Sequence, residues 1–314
     1  MSRLFRAAAT LLKFAALATG TAVMLPAVAA AADRIPVVAT FSVIADMVAA
    51  VGGDHVNLVT IVGPDGDIEV YEPTAADVPK IATARILFMN GINDEFEPWL
   101  DALLKQARFA GTKVIVSRGV KALSSEDEHP MGGKPKATVL DQHAWMDPRN
   151  GIIYVKNIAD VLVRIDPANA EGYRTRAAAY TQRIRALDVW AHAEMAAVPT
   201  SRRRVLASHD SLQYLANAYG ITMISVNGWT NKSEPSAADL ARLTDQIRRE
   251  HVKALFLDSI TDPRAMQRIG KETGAVIGGT LYGDALSKPD GAAGTYIEMI
   301  RHDISTMKTG MLLN

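Results

Sequence analysis

The chain has 314 residues, with 34 Lys and Arg, 34 Asp and Glu, seven His and no Cys. The balanced charge gives nucleic acid no electrostatic footprint. The absence of cysteine excludes disulfides, thiolate metal sites and a lipid carried on an N-terminal cysteine.

Residues 1–32 read as a cleaved export signal. Arg3, Arg6 and Lys13 precede or punctuate an apolar stretch that ends in small residues around Ala27 to Ala32. Removing those three basic residues leaves 31 Lys and Arg against 34 Asp and Glu, a mildly acidic exported chain expected in a bacterial periplasm. No later stretch is long and apolar enough to span a bilayer.

IPVVATFSVIADMVAAVGG begins with a β-branched run at 35–39 and then shifts to helical spacing, so it predicts strand, turn and helix. The next strand is predicted at 56–63, ended by Gly63, Pro64 and Asp65. A short helix at 74–84, a buried strand at 85–91, a helix at 96–107 and a strand at 112–117 follow. Apolar runs alternating with amphipathic segments predict parallel βα units. Residues 118–140, which include SSEDEHPMGGKPKA, break the rhythm and read as a polar surface loop. Helical spacing returns at 151–167, and the alanine-rich stretch 167–199 reads as one long connecting helix.

The second half repeats the first. Strands are expected at 203–209, 221–228, 253–259 and 275–282, and helices at 211–220, 236–251, 263–274 and 294–310. The fold class is therefore α/β, with two parallel-sheet lobes, at 33–166 and 200–314, joined by the helix at 167–199.

Ligands of open parallel sheets bind beyond the C-terminal strand ends. Four polar residues fall at such exits or at the entry to a helix: Glu69 and His143 in the first lobe, His209 and Asp284 in the second. Each has an ordinary explanation: His143 in LDQHAWMDP fits a surface turn, a packed core histidine, a catalytic base or a metal ligand. Asp284 fits a turn and Glu69 a solvated carboxylate. Carboxylates and imidazoles suit Zn²⁺ or Mn²⁺ where thiolates are missing. Two ligands per lobe would tie binding to closure of the cleft.

Several stretches together resemble one family, the metal-binding receptors of bacterial zinc and manganese ABC importers, also called cluster A-I solute-binding proteins. They are VVATFSVIADMVAAVGGDHV, GPDGDIEVYEPTAADVPKIATARILFMNGINDEFEPWL, DQHAWMDPRN, SHDSLQYLANAYGI, EPSAADL and GTLYGDALSKPDGAAGTYIEMIRHD. The resemblance implies two lobes on a rigid helix with the metal between them. It also implies a monomer that hands its ion to an inner-membrane permease without chemical conversion.

By the same resemblance the ligands are Glu69, His143, His209 and Asp284. At the first position the family commonly has histidine, in D-x-H-x-Y-E-P, where this chain has Asp67, Glu69, Tyr71, Glu72 and Pro73. At the third, zinc receptors usually have histidine and many manganese receptors glutamate. His209 ranks Zn²⁺ first, Mn²⁺ next and iron third. Asp141 or Asp147 is expected to orient His143, and Asp210 to orient His209; each could instead cap a helix. A metallohydrolase is the alternative of another class, with Glu69 as base, but H-E-x-x-H, a paired metal cluster and a serine nucleophile elbow are all missing.

Overall fold

The computed structural model describes residues 34–93, 96–126, 138–224 and 237–314. The export signal, the acidic positions 127–128, His129 and the end of the strand expected at 221–228 lie outside them.

The first sheet contains β1 (Ile35–Phe41), β2 (Val56–Val62), β3 (Ile86–Met89) and β4 (Thr112–Ile115) in the order β2-β1-β3-β4, every pair parallel. Helix α1 (Ser42–Gly52) follows β1 without a loop, and α2 (Asp77–Ala82) and α3 (Leu100–Gln106) carry the chain between later strands. Pro79 is accommodated because it stands in the first turn of α2, where its missing N–H has no helical partner to lose. Nearly every residue of β1 and all of β3 are buried, as expected of central parallel strands covered on both faces.

The segment expected to be a polar loop contains a short antiparallel pair, β5 (Ser124–Glu126) and β6 (Thr138–Leu140). Helix α4 (Pro148–Ile165) begins earlier than its apolar periodicity indicated. Asp147 accepts from Arg149 N at 2.9 Å and Pro148 occupies the first helical turn, so the start is set by the cap.

Helix α5 (Ala170–Ala196) has 27 residues, about 40 Å at the α-helical rise. Its buried positions, Tyr173, Ala177, Tyr180, Ile184, Leu187, Ala191 and Met195, recur every three or four residues and form one stripe along its length. The first half is tied to the first lobe: Arg176 Nε donates to Val51 O at 2.7 Å and Tyr180 OH to Asp46 Oδ2 at 2.6 Å. Farther along, Asp188 accepts from Tyr219 OH at 2.9 Å and Glu194 from Lys308 Nζ at 2.8 Å, both on the second lobe.

The second sheet repeats the first with β7 (Arg204–Ala207), β8 (Thr222–Met223), β9 (Ala254–Asp258) and β10 (Val276–Leu281), in the order β10-β9-β7-β8 and again parallel. Helices α6 (Gln213–Tyr219), α7 (Ala237–Glu250), α8 (Arg264–Thr273) and α9 (Tyr296–Met311) flank it. One apolar cluster runs from the first sheet through α4 and α5 to α9, and a smaller one lies beneath α7 and α8.

The lobes meet through specific bonds as well as apolar contact. Asp65 N donates to Leu286 O at 2.9 Å, and Leu286 N to Ser42 Oγ at 2.9 Å. Tyr296 OH donates to Trp145 O at 2.7 Å, passing over Gly151, where a Cβ would lie 2.5 Å from that hydroxyl. Only a residue without a side chain leaves that path open. Among the described residues no helix is long and apolar enough to cross a membrane.

Candidate metal centre

In each sheet the strand order reverses beside its first strand, between β1 and β3 and between β7 and β9. Such reversals leave a crevice beyond the strand ends. The loops leaving β2, β6, β7 and β10 deliver Glu69, His143, His209 and Asp284 to one place. One ligand atom from each of the four lies within 4.8 Å of the others. His143 Nε2 stands 3.8 Å from Glu69 Oε1 and 3.3 Å from Asp284 Oδ1, while His209 Nδ1 is 3.5 Å from Asp284 Oδ2.

All four side chains are buried, Asp284 completely. Among the described residues, His143 Nε2, His209 Nδ1 and both oxygens of Asp284 have no hydrogen-bond partner. Buried polar atoms are ordinarily paired, because desolvation without compensation is costly. Bare atoms of mixed charge facing one another fit a small cation, and these donor types suit a divalent metal.

Charge tells the same story. Burial opposes protonation of both imidazoles, yet Asp284 together with Asp141 outweighs it at His143, which is raised well above its ordinary value, and Asp284 together with Asp258 raises His209 to about 9. Burial would raise Asp284, but the two facing imidazoles hold it below the usual carboxylate range. A cation held here would take over the role of those protons and displace them.

Neighbouring groups set the geometry. Asp141 Oδ1 accepts from the His143 main chain at 2.9 Å and lies 2.8 Å from its Nδ1, so the ring presents Nε2 to the cluster. Asp147 caps α4 and binds the Arg149 guanidinium, which leaves Asp141 as the orienting residue. Asp210 is exposed and accepts from Gln213 Nε2 at 2.9 Å; it does not orient His209. The carboxylate beside His209 is Asp258 at the end of β9, with Oδ2 3.7 Å from Nδ1. Sequence reasoning missed it because an aspartate closing a strand reads as a turn former, which it also is: its Oδ1 accepts from Ile260 N at 2.9 Å.

Glu69 is fixed at two points. Its main-chain N–H donates to Asp67 Oδ1 at 2.9 Å, and its Oε1 accepts from Gln142 Nε2. On the other side, Gly283 lies so close to Ser211 Oγ that a Cβ would overlap it, bringing the Asp284 loop against α6. Phe41, Phe96 and Trp145 form an aromatic wall behind His143, with Phe96 and Trp145 ring centroids 5.9 and 5.5 Å from the imidazole.

The remaining described histidines stay apart from the cluster. His55 packs edge-on against Tyr173, His192 faces Asp188, and His302 Nε2 lies 2.9 Å from Thr280 O. His251 ends α7 in an exposed left-handed turn.

Known proteins resemble this chain over most of its length. The family described as zinc-uptake complex component A, periplasmic, matches residues 37–310. The iron-binding protein YfeA of Yersinia pestis is 30% identical over 279 residues, covering 89% of this chain and 87% of its own. The Mn-bound periplasmic metal binding protein from Candidatus Liberibacter asiaticus superposes with a TM-score of 0.76 at 27% identity, over 89% of this chain and all of that one. The periplasmic zinc binding protein TroA from Treponema pallidum superposes with a TM-score of 0.80 at 26% identity, covering 89% of this chain and 99% of its own.

Proposed function

This chain belongs to the periplasmic zinc-uptake component A family, and from that premise we propose that its cargo is Mn²⁺, with Fe²⁺ second and Zn²⁺ third. Membership makes it a periplasmic solute-binding protein of an ABC import system that binds a divalent metal, a transport receptor and not an enzyme. The finer reading is that Glu69, His143, His209 and Asp284 hold the ion and that the chain, as a monomer, delivers it to a cognate inner-membrane permease.

The observation that carries the choice of metal is the donor set as a whole: two imidazoles and two carboxylates facing one point. His209 taken alone favours zinc, which is why Zn²⁺ leads when positions are weighed one at a time. Counted together, the carboxylate at Glu69 offsets the imidazole at His209. The total then equals that of a receptor with histidine first and glutamate third, the pattern the resemblance associates with manganese. Oxygen donors suit Mn²⁺, whereas Zn²⁺ is content with nitrogen and sulfur. Relatives described as iron-binding and Mn-bound support manganese and iron as cargo, beside TroA, which is described as zinc binding.

Because Zn²⁺ outbinds Mn²⁺ at most nitrogen and oxygen sites, affinity in the test tube does not identify the cargo. The test is elemental analysis of protein taken from its native periplasm after growth with both metals available, followed by thermal unfolding with each metal added to stripped protein. About one Mn or Fe per chain, with metal-dependent stabilisation, is expected. Zinc alone in the isolated protein overturns the metal assignment, and the lack of stabilisation by any divalent ion overturns the site.

A further inference from the structure

We propose that Gln142 is a specificity-determining positioning residue: its side-chain amide fixes Glu69 in place as an oxygen donor and thereby favours Mn²⁺ over Zn²⁺. The inference rests on the reading of Glu69 as a ligand. Gln142 Nε2 donates to Glu69 Oε1, the same oxygen that faces His143 Nε2 at 3.8 Å. An ionised carboxylate only accepts, so the amide must present its NH₂ to it, and the orientation of the amide follows from chemistry.

The main chain on which Gln142 rides is immobilised on both sides. Its carbonyl accepts from Asn90 Nδ2 at 2.8 Å, and Asn90 Oδ1 in turn accepts from Tyr154 OH at 2.5 Å. Asp141 N donates to Leu123 O at 2.8 Å, and Asp141 Oδ1 grips the next amide, that of His143, at 2.9 Å. The amide of Gln142 is therefore presented from a fixed point at the C-terminal end of β3.

Two effects follow. One lone-pair direction of Oε1 is committed to the amide, leaving the same oxygen to face the cluster by its other. The glutamate rotamer is also ordered in advance, so its freedom is not lost when the ion arrives. Mn²⁺ draws more on oxygen donors than Zn²⁺, for which the two imidazoles are the better partners, so a loosened Glu69 penalises Mn²⁺ more.

The test uses the mature protein stripped of metal, titrated separately with Mn²⁺ and Zn²⁺, and Gln142→Met, which keeps the side-chain length and removes the donor. Gln142→Met is expected to weaken Mn²⁺ binding about tenfold, in the range known for groups that orient a ligand, and Zn²⁺ binding less. Because it takes a donor from a buried carboxylate, it should lower the metal-free melting temperature slightly, so the difference between the two metals carries the test. In a Glu69→Ala background the same substitution should have no further effect, because Gln142 acts through Glu69. An equal loss in that background, or an equal loss for both metals, overturns the inference. If Glu69→Ala weakens binding and Gln142→Met does not, the inference fails while Glu69 stands as a ligand; if Glu69→Ala binds as well as the parent, both fail.

Discussion

Glu69 and His143, from the first lobe, are each held by a hydrogen bond with a neighbouring side chain: Glu69 accepts from Gln142, and His143 bonds Asp141. His209 and Asp284, from the second lobe, reach the same point with His209 Nδ1 and both Asp284 oxygens bare. The first half of the proposed centre is fixed by hydrogen bonds, and the second is held in place by close packing and charge. A site divided in this way can assemble from a rigid half and a half that answers to the ion.

Five single substitutions break or sharpen that comparison. The largest effect is expected from Asp284→Asn, which removes the charge that both imidazoles face. Mn²⁺ affinity should fall by well over about 100-fold, more than the loss of an orienting partner brings, and the rise in melting temperature on adding Mn²⁺ should vanish in a thermal-shift assay. Next come the two orienting carboxylates. Asp141→Asn should weaken Mn²⁺ binding by about 10- to 100-fold, measured by titration calorimetry. Asp258→Asn should cost clearly less, because its carboxylate is 3.7 Å from His209 and forms no direct bond to Nδ1. Equal losses would erase the contrast between the lobes.

A smaller effect tests the packing of the second half. Gly283→Ala places a methyl group into Ser211 and should destabilise the metal-free protein by about 1–3 kcal/mol in denaturant unfolding. Adding Ser211→Gly should recover most of it.

The smallest effect concerns the first lobe away from the centre. Burial would raise Asp77, but Lys80, the Thr74 amide and hydroxyl, and Tyr71 together lower it from 3.8 to about 2. Its folded value is the lower one, so its contribution is complete above the unfolded value and is lost as pH falls through about 2. The melting-temperature gap between the parent and Asp77→Asn should be widest near neutrality and close on acidification.

Much of this was legible from the residues. Strand and helix rhythm came through because the strands are parallel and buried, and the four converging side chains stand at strand exits or helix entries, where open sheets place their ligands. Less legible were features that depend on pairing across the chain. The β5 and β6 pair is made of three-residue strands, SSE and TVL, too short and polar to show a period. Gln142 carries no charge to mark it, and its partner lies 73 residues earlier. Asp258 acquires its second role only because β9 is laid beside β7. Asp141 and Asp147 are both aspartates near the same histidine, and only the course of the main chain assigns one to the imidazole and the other to a helix end.

Trp145 touches both halves of the molecule. Its ring centroid is 5.5 Å from that of His143, and its indole N–H donates across the cleft to Gly283 O at 2.9 Å. If the site holds an ion as proposed, a paramagnetic one beside His143 would dim that indole's emission, and parting of the lobes would hydrate it and shift its emission to the red. With the chain's other tryptophans replaced, the indole would serve as an optical gauge, its colour reporting the cleft and its brightness the ion.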